Sequence, residues 1–205
     1  MANVKITDLS AATTPLAGTE LFETVQASTS RKVAAADIGN SATAVPFLSL
    51  AGRAYISAYS NTDQTGSVSV ATAVKIENTD FSAGISIAND GSGNPTRITF
   101  AAAGTYMLAP SLQFKNTDTN DHDATFWFRL NGTNIANSAS IVNIPKAADG
   151  GATFAQIVIY EQVTAAQYIE IMWLPENVAV TLDFTAAGAI APAIPSVILA
   201  AERIA

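Results

Sequence analysis

The chain's single histidine, His122, sits in TDTNDHDAT (117–125), crowded by carboxylates and an amide. Two chemistries use such a set. A hard cation such as calcium takes oxygens of the kind that Asp118, Asn120, Asp121 and Asp123 offer. A histidine beside Asp121 or Asp123 can also act as the base of a nucleophilic triad. Both lack their full signatures. No Gly stands at the sixth position of the loop and no Glu at the twelfth, as an EF-hand requires. No Gly-x-Ser-x-Gly elbow presents a nucleophile. A solvated turn between strands, where Asp and Asn are favoured, explains the stretch as well. No metal ion is expected; Asp118, Asp121 and Asp123 are the residues that would hold one.

Other reactive residue types are dispersed. Glu161, Glu170, Glu176 and Asp183 fall singly on strands or turns, so no carboxylate pair for glycoside cleavage stands out. NDGSGNP (89–95) lacks the Lys-Ser/Thr of a phosphate loop and reads as a wide hairpin turn. Tyr55, Tyr59, Trp127 and Trp173 are candidates for a sugar-stacking platform, although strand aromatics are more often buried in a core or an interface. The residues predict no catalytic activity and no cofactor.

Composition narrows the partners. Charged residues are 13% of the 205, against roughly 25% in an ordinary soluble domain, while 49% are hydrophobic. A surface short of charge is expected where subunits meet permanently. The net charge of −7 argues against nucleic acid, which needs a basic footprint, and against an anionic membrane surface. The absence of cysteine removes disulfides, thiolate metal sites and cysteine catalysis. No signal peptide and no membrane helix are expected: the start is polar, and the apolar run 186–194 is short and broken by Pro192.

The elements that must position these residues are strands. Residues 1–39 read as a hairpin arm, 40–52 as a small-residue linker, and 53–205 as the main domain. Strands are predicted at 53–59, 67–77, 96–100, 104–114, 123–130, 154–163, 168–174, 178–184 and 196–204. The first of these alternate cleanly, and Asn131-Gly132 is a strong hairpin turn. Short strands with frequent turns and no amphipathic helix predict a sandwich or barrel.

Several strands are apolar on both faces. Phe154, Val158 and Tyr160 share one side of their strand, and Ala155, Ile157 and Ile159 the other. Ile169, Ile171 and Trp173 oppose Tyr168, Met172 and Leu174; Trp127 opposes Phe126 and Phe128. A sandwich buries one face of each sheet, so the second face needs a cover. A sister subunit is one cover and loops of the same chain another. The first predicts Trp127, Ile157, Ile159, Ile171 and Trp173 at a homotrimer interface.

Two resemblances add to this reading. TRITFAAAGTYMLAPSLQF, FWFRLNGTNIANS, ATFAQIVIYEQVTAAQYIEIMWL and PSVILAAERI resemble the jelly rolls of the tumour-necrosis-factor and complement globular-head family. The carrying features are Phe100 ahead of Gly104-Thr105-Tyr106, the Asn131-Gly132 turn and a closing terminal strand. The family's Gly-Asp before the penultimate strands is replaced by Ala165-Ala166-Gln167. The resemblance implies an all-β antiparallel jelly-roll sandwich assembled as a homotrimer around a threefold axis.

KITDLSAATTPLAGTELFETVQASTSRKVAAADI is similar to the N-terminal segment of many tailed-bacteriophage fibre and spike proteins. The matching positions are Ile6, Leu9, Ala12 to Glu20, Val25-Gln26 and Lys32-Val33. This implies an attachment arm in which Leu16, Leu21, Phe22, Val25, Val33 and Ile38 contact a phage capsid or tail protein. The expected function is a structural virion protein, a trimeric short fibre, spike or decoration on head or tail, made in the bacterial host cytoplasm and located in the virion. The alternative is a receptor-binding module of a tail fibre that takes a host-surface glycan. Neither requires nucleic acid or a membrane.

Overall fold

A computed structural model describes residues 53–205 and, ahead of them, the backbone of 21–26 and 29–34. The chain divides after Gly52, and the two parts are described separately.

In the first part, β1 (Leu21–Gln26) and β2 (Thr29–Ala34) pair antiparallel. Leu21 stands opposite Ala34, Phe22 opposite Val33, and Val25 opposite Ser30. Leu21, Phe22, Val25 and Val33 are four of the six residues assigned to virion attachment. Leu16 and Ile38 lie outside the described residues, as does the linker 40–52.

The second part is all-β. Its strands are β3 (Tyr55–Ser60), β4 (Gln64–Thr65), β5 (Thr72–Ala73), β6 (Asn78–Ala83), β7 (Ile85–Asn89), β8 (Pro95–Phe100), β9 (Gly104–Asn116), β10 (His122–Leu130), β11 (Thr133–Asn134), β12 (Ser140–Ile144), β13 (Ala152–Gln156), β14 (Ile159–Val163), β15 (Tyr168–Pro175), β16 (Val180–Leu182) and β17 (Val197–Arg203). They form an antiparallel jelly-roll sandwich. The first sheet runs β11-β10-β15-β8-β7, with β12 also on β10 and β5 also on β15. The second runs β4-β16-β9-β17-β3-β6, with β13 and β14 along the free edge of β9.

Alternation decides what each strand buries. On β9, Tyr106, Leu108, Leu112 and Phe114 point into the sandwich; on β10, Phe126 and Phe128; on β15, Ile169, Ile171 and Trp173; on β17, Val197 and Leu199. The aromatic rings meet at an angle, edge-on for Phe114 with Trp173 and tilted for the other pairs, as their quadrupoles favour over face-to-face stacking. Phe114 lies 6.1 Å from Trp173 and 6.2 Å from Phe126, ring centre to ring centre. Phe100 and Tyr106 stand 4.4 Å apart, and the buried Tyr106 hydroxyl donates to Ala102 O at 2.9 Å. Burial pushes the Tyr106 phenol above its ordinary pKa.

The Asn131-Gly132 turn is as its residues demand. Both have positive φ, 47° and 86°, the pair of left-handed conformations that a tight hairpin needs. The expected strand at 67–77 is different. Only Thr72–Ala73 pairs, opposite Trp173 and Met172, while Val68 and Val70 are exposed. Alternation there marks a segment crossing the sheet edge. Its inward members Val74 and Ile76 are held by main-chain bonds to Ile171 O and Pro95 O. The stretch 154–163 is two strands on β9, and β6, β7 and β12 were not expected from the sequence.

Candidate functional site

The acidic loop connects β9 to β10. Asn116 is buried at its root and ties it: Nδ2 donates to Asn120 O (2.8 Å) and Ile144 O (3.3 Å), and Oδ1 accepts Asp118 N (2.8 Å). The three aspartates do not converge. Asp118 accepts from Thr119 N (2.6 Å), the His122 Nε2 (2.8 Å) and Asn177 Nδ2 (3.3 Å). Asp121 accepts Lys146 N and Asp123 accepts Asn143 Nδ2, each at 2.9 Å. Each carboxylate thus serves a different neighbour, and no carboxylate cluster able to hold a cation forms among the described residues. Asp118, Asp121 and Asp123 belong instead to a loop that ties three chain segments together.

His122 is the hub of that tie. Its Nδ1 lies 3.7 Å from Glu176 Oε2, which itself accepts Asp123 N at 2.9 Å. The hydrogen bond from His122, with help from Thr119 N–H, holds the Asp118 carboxyl below its ordinary 3.8. A carboxyl lowered on folding stabilises the fold above its unfolded pKa and loses that contribution as pH falls through the folded value. The thermal midpoint of the parent should therefore fall more steeply than that of Asp118→Asn below about pH 3.8. Parallel curves in acid would mean that the tie carries no stability.

The residues expected at a subunit interface occupy three different places. Ile171 and Trp173 are buried in the subunit's own core. Ile157 and Ile159 are half-buried and pack against that core. Trp127 is half-buried on the outer side of the first sheet, its Nε1 donating to Asn134 Oδ1 at 2.8 Å. Four of the five are corrected for one reason. The faces with the highest apolar content face the partner sheet of the same chain, where water exclusion is greatest. On β15 even the opposite face is covered by its own chain, since Glu170 and Met172 are only 2% exposed.

The face left open is the outer side of the second sheet. Register places its members. Phe154 stands opposite Gln113, Tyr160 opposite Met107, Ile198 opposite Ser111 and Tyr59, and Phe81 opposite Ser57. Phe154, Phe81 and Tyr160 are 65%, 61% and 61% exposed, and Tyr55 packs edge-on to Phe81 at 6.0 Å. Between them lie Ala109, Ala200, Ser57 and Ser111, which leave the surface low and flat. Charge on it is sparse: Arg53 with Glu202 (3.4 Å) and Lys115 with Asp183 (3.1 Å) stand at its ends, and the exposed Asp80 accepts from Ser57 Oγ at 3.2 Å. The sequence had grouped Phe154, Val158 and Tyr160 on one side of their strand, but which side faced out was not evident.

A second, polar feature marks the outer side of the first sheet. Glu170 on β15 is buried between two arginines. Arg129 on β10 donates through Nε (3.1 Å) and Nη2 (2.8 Å), and Thr96 Oγ1 donates at 3.0 Å. Arg97 on β8 approaches to 3.9 Å and lies over the Tyr168 ring at 4.3 Å. A buried carboxylate is tolerated only with such full pairing. The arrangement stitches the three central strands and fixes one face of each guanidinium.

No helix among the described residues is long and apolar enough to cross a membrane. No protein-family model matches the chain, and no curated protein matches it. Among solved structures the chain is similar to murine APRIL in crystals at pH 8.5 and pH 5.0. The TM-score is 0.46 for each, at 10% and 8% sequence identity, covering 74% of this chain and 99% of that one.

Proposed function

We propose that this chain is a structural virion protein of a tailed phage: a homotrimeric short fibre, spike or decoration held on the particle by its N-terminal segment. The observation that carries the trimer is the outer face of the second sheet. Phe81, Phe154, Tyr160 and Ile198 lie there in water around a floor of Ala and Ser, with ion pairs at its ends and a single further carboxylate, Asp80, held by Ser57. An exposed apolar patch with a charged rim has the anatomy of a subunit contact. This replaces the interface first drawn through Ile157, Ile159, Ile171 and Trp173. Obligate contacts of this kind bury about 2,000–5,000 Å². Sedimentation of the purified protein at micromolar concentration should give a trimer, and a well-folded 21.2 kDa species would overturn the proposal.

The attachment half rests on the resemblance of residues 5–38 to phage fibre and spike proteins. The β1–β2 hairpin supports it, because a strand-rich segment can dock by adding edges to another sheet. Removing residues 1–39 should abolish incorporation into particles while the remaining head stays folded. Wild-type incorporation of the truncated chain would refute the attachment role.

A further inference from the structure

We propose that a cleft on the outer side of the first sheet binds a carboxylate-bearing sugar, with Arg129 and Lys75 as its cationic contacts. The cleft has a volume of about 310 Å³ and is lined by Thr72, Lys75, Asn94, Thr96, Arg129 and Met172, among others. That volume accommodates one sugar ring. It lies on the opposite sheet from the aromatic face, so the proposal goes beyond the trimer reading.

Preorganisation is the first argument. Glu170 takes the Nε and one Nη2 proton of Arg129. A guanidinium has five N–H donors, so three remain, and their direction is fixed by a carboxylate that is itself 98% buried. An arginine held from behind loses little freedom when it grips a second carboxylate.

Charge is the second. Elsewhere Arg53, Lys115 and Lys146 each have a carboxylate of their own. Here Arg97 and Arg129 share one, and Arg97 Nε is buried without a hydrogen bond. Lys75 has no ion-pair partner among the described residues. Asp90 also lines the cleft and stays ionised, its Oδ1 accepting Ser92 N (2.8 Å) and Asn94 N (2.9 Å), so Lys75, Arg97 and Arg129 stand against two carboxylates, Asp90 and Glu170. On a chain of net charge −7, a local surplus of cations is a feature that an anionic ligand would use. The Thr72 hydroxyl and the Asn94 amide, whose Nδ2 donates to Asp90 Oδ2 at 3.3 Å, line the cleft beside Ala71 and Ala73 and suit sugar hydroxyls.

The test titrates the full-length protein with glucuronate, and with glucose as its neutral counterpart, by calorimetry and amide-shift mapping. Glucuronate should bind saturably with shifts at Thr72, Lys75 and Asn94, and glucose should not. Lys75→Ala removes only an exposed side chain, so its thermal midpoint should match the parent while affinity falls about tenfold. Arg129→Met combined with Glu170→Gln removes the pair without stranding a buried charge, and should abolish binding. If that double variant fails to fold, Lys75→Ala decides alone. No saturable response to glucuronate below about 20 mM overturns the proposal. So does an equal response to glucose, or parent-like affinity in Lys75→Ala. Sedimentation of the same samples reports assembly separately, so loss of either property leaves the other readable.

Discussion

A chain carrying Phe154→Asp and Tyr160→Asp should sediment as a folded monomer where the parent sediments as a trimer. Both side chains stand on the outer side of the second sheet, 65% and 61% exposed, and neither is a member of the core cluster. The fold should therefore survive. The assembly should not, since each aromatic withdraws on the order of 100 Å² or more from water on association, worth about 2–3 kcal/mol at ~25 cal/mol per Å². The new carboxylates add a desolvation cost at the same place, and each subunit gains two negative charges facing like charges. Ile157→Asp is the contrasting control. It places a charge against the subunit's own core, so it should lower solubility and folding rather than produce a clean monomer. A double variant that remains trimeric would show that the subunits meet elsewhere.

The second large effect concerns Trp173. Its side chain is fully buried at the centre of the sandwich, edge-on to Phe114. Trp173→Ala should cost about 3–5 kcal/mol, the usual range when a large aromatic leaves a cavity that cannot collapse. Trp173→Phe should cost less than about half of that, for two reasons. The remaining ring keeps the contact with Phe114, and the indole Nε1, which is buried without a hydrogen-bond partner, disappears along with its desolvation cost. Denaturant unfolding at one fixed protein concentration measures both, since stability of an oligomer depends on concentration. A Trp173→Ala loss under about 1 kcal/mol would contradict the packing described.

Much of the architecture was legible because strand periodicity is strict. Along β9, β10 and β17 alternate positions are the ones buried together. Period-two patterning says which residues share a side, but not which side is inward. Polar neighbours normally resolve that, but along β13–β14 both faces are mixed: Ile157 and Ile159 share theirs with Thr153 and Glu161, and Phe154 and Tyr160 share theirs with Gln156 and Gln162. The residues expected at an interface therefore include Ile157 and Ile159, which pack against the subunit's own core. The segment 67–77 failed in another way, because alternation persists wherever one side is buried, whether or not a neighbour is within reach to pair with. β6 and β7 were missed because NTDFSA is polar at most positions and Gly84, at φ 68°, turns the chain between them. Glu170 read as one more strand carboxylate. Its role depends on Arg129, 41 residues away, and on Arg97 across a third strand, and no local spacing encodes that meeting.

The order of pairing around β9 bears on how the protein comes into being. That strand is complete at Asn116, yet its neighbour β17 is drawn from residues 197–203. A ribosome adding about 5–20 residues per second leaves β9 without this partner for several seconds, and the exit tunnel delays it further. The second sheet can close only once residues 197–203 have emerged. Such distant pairing is a slow, whole-molecule event, and a nascent chain in that interval carries an unsatisfied ribbon edge that chaperones would be expected to shield.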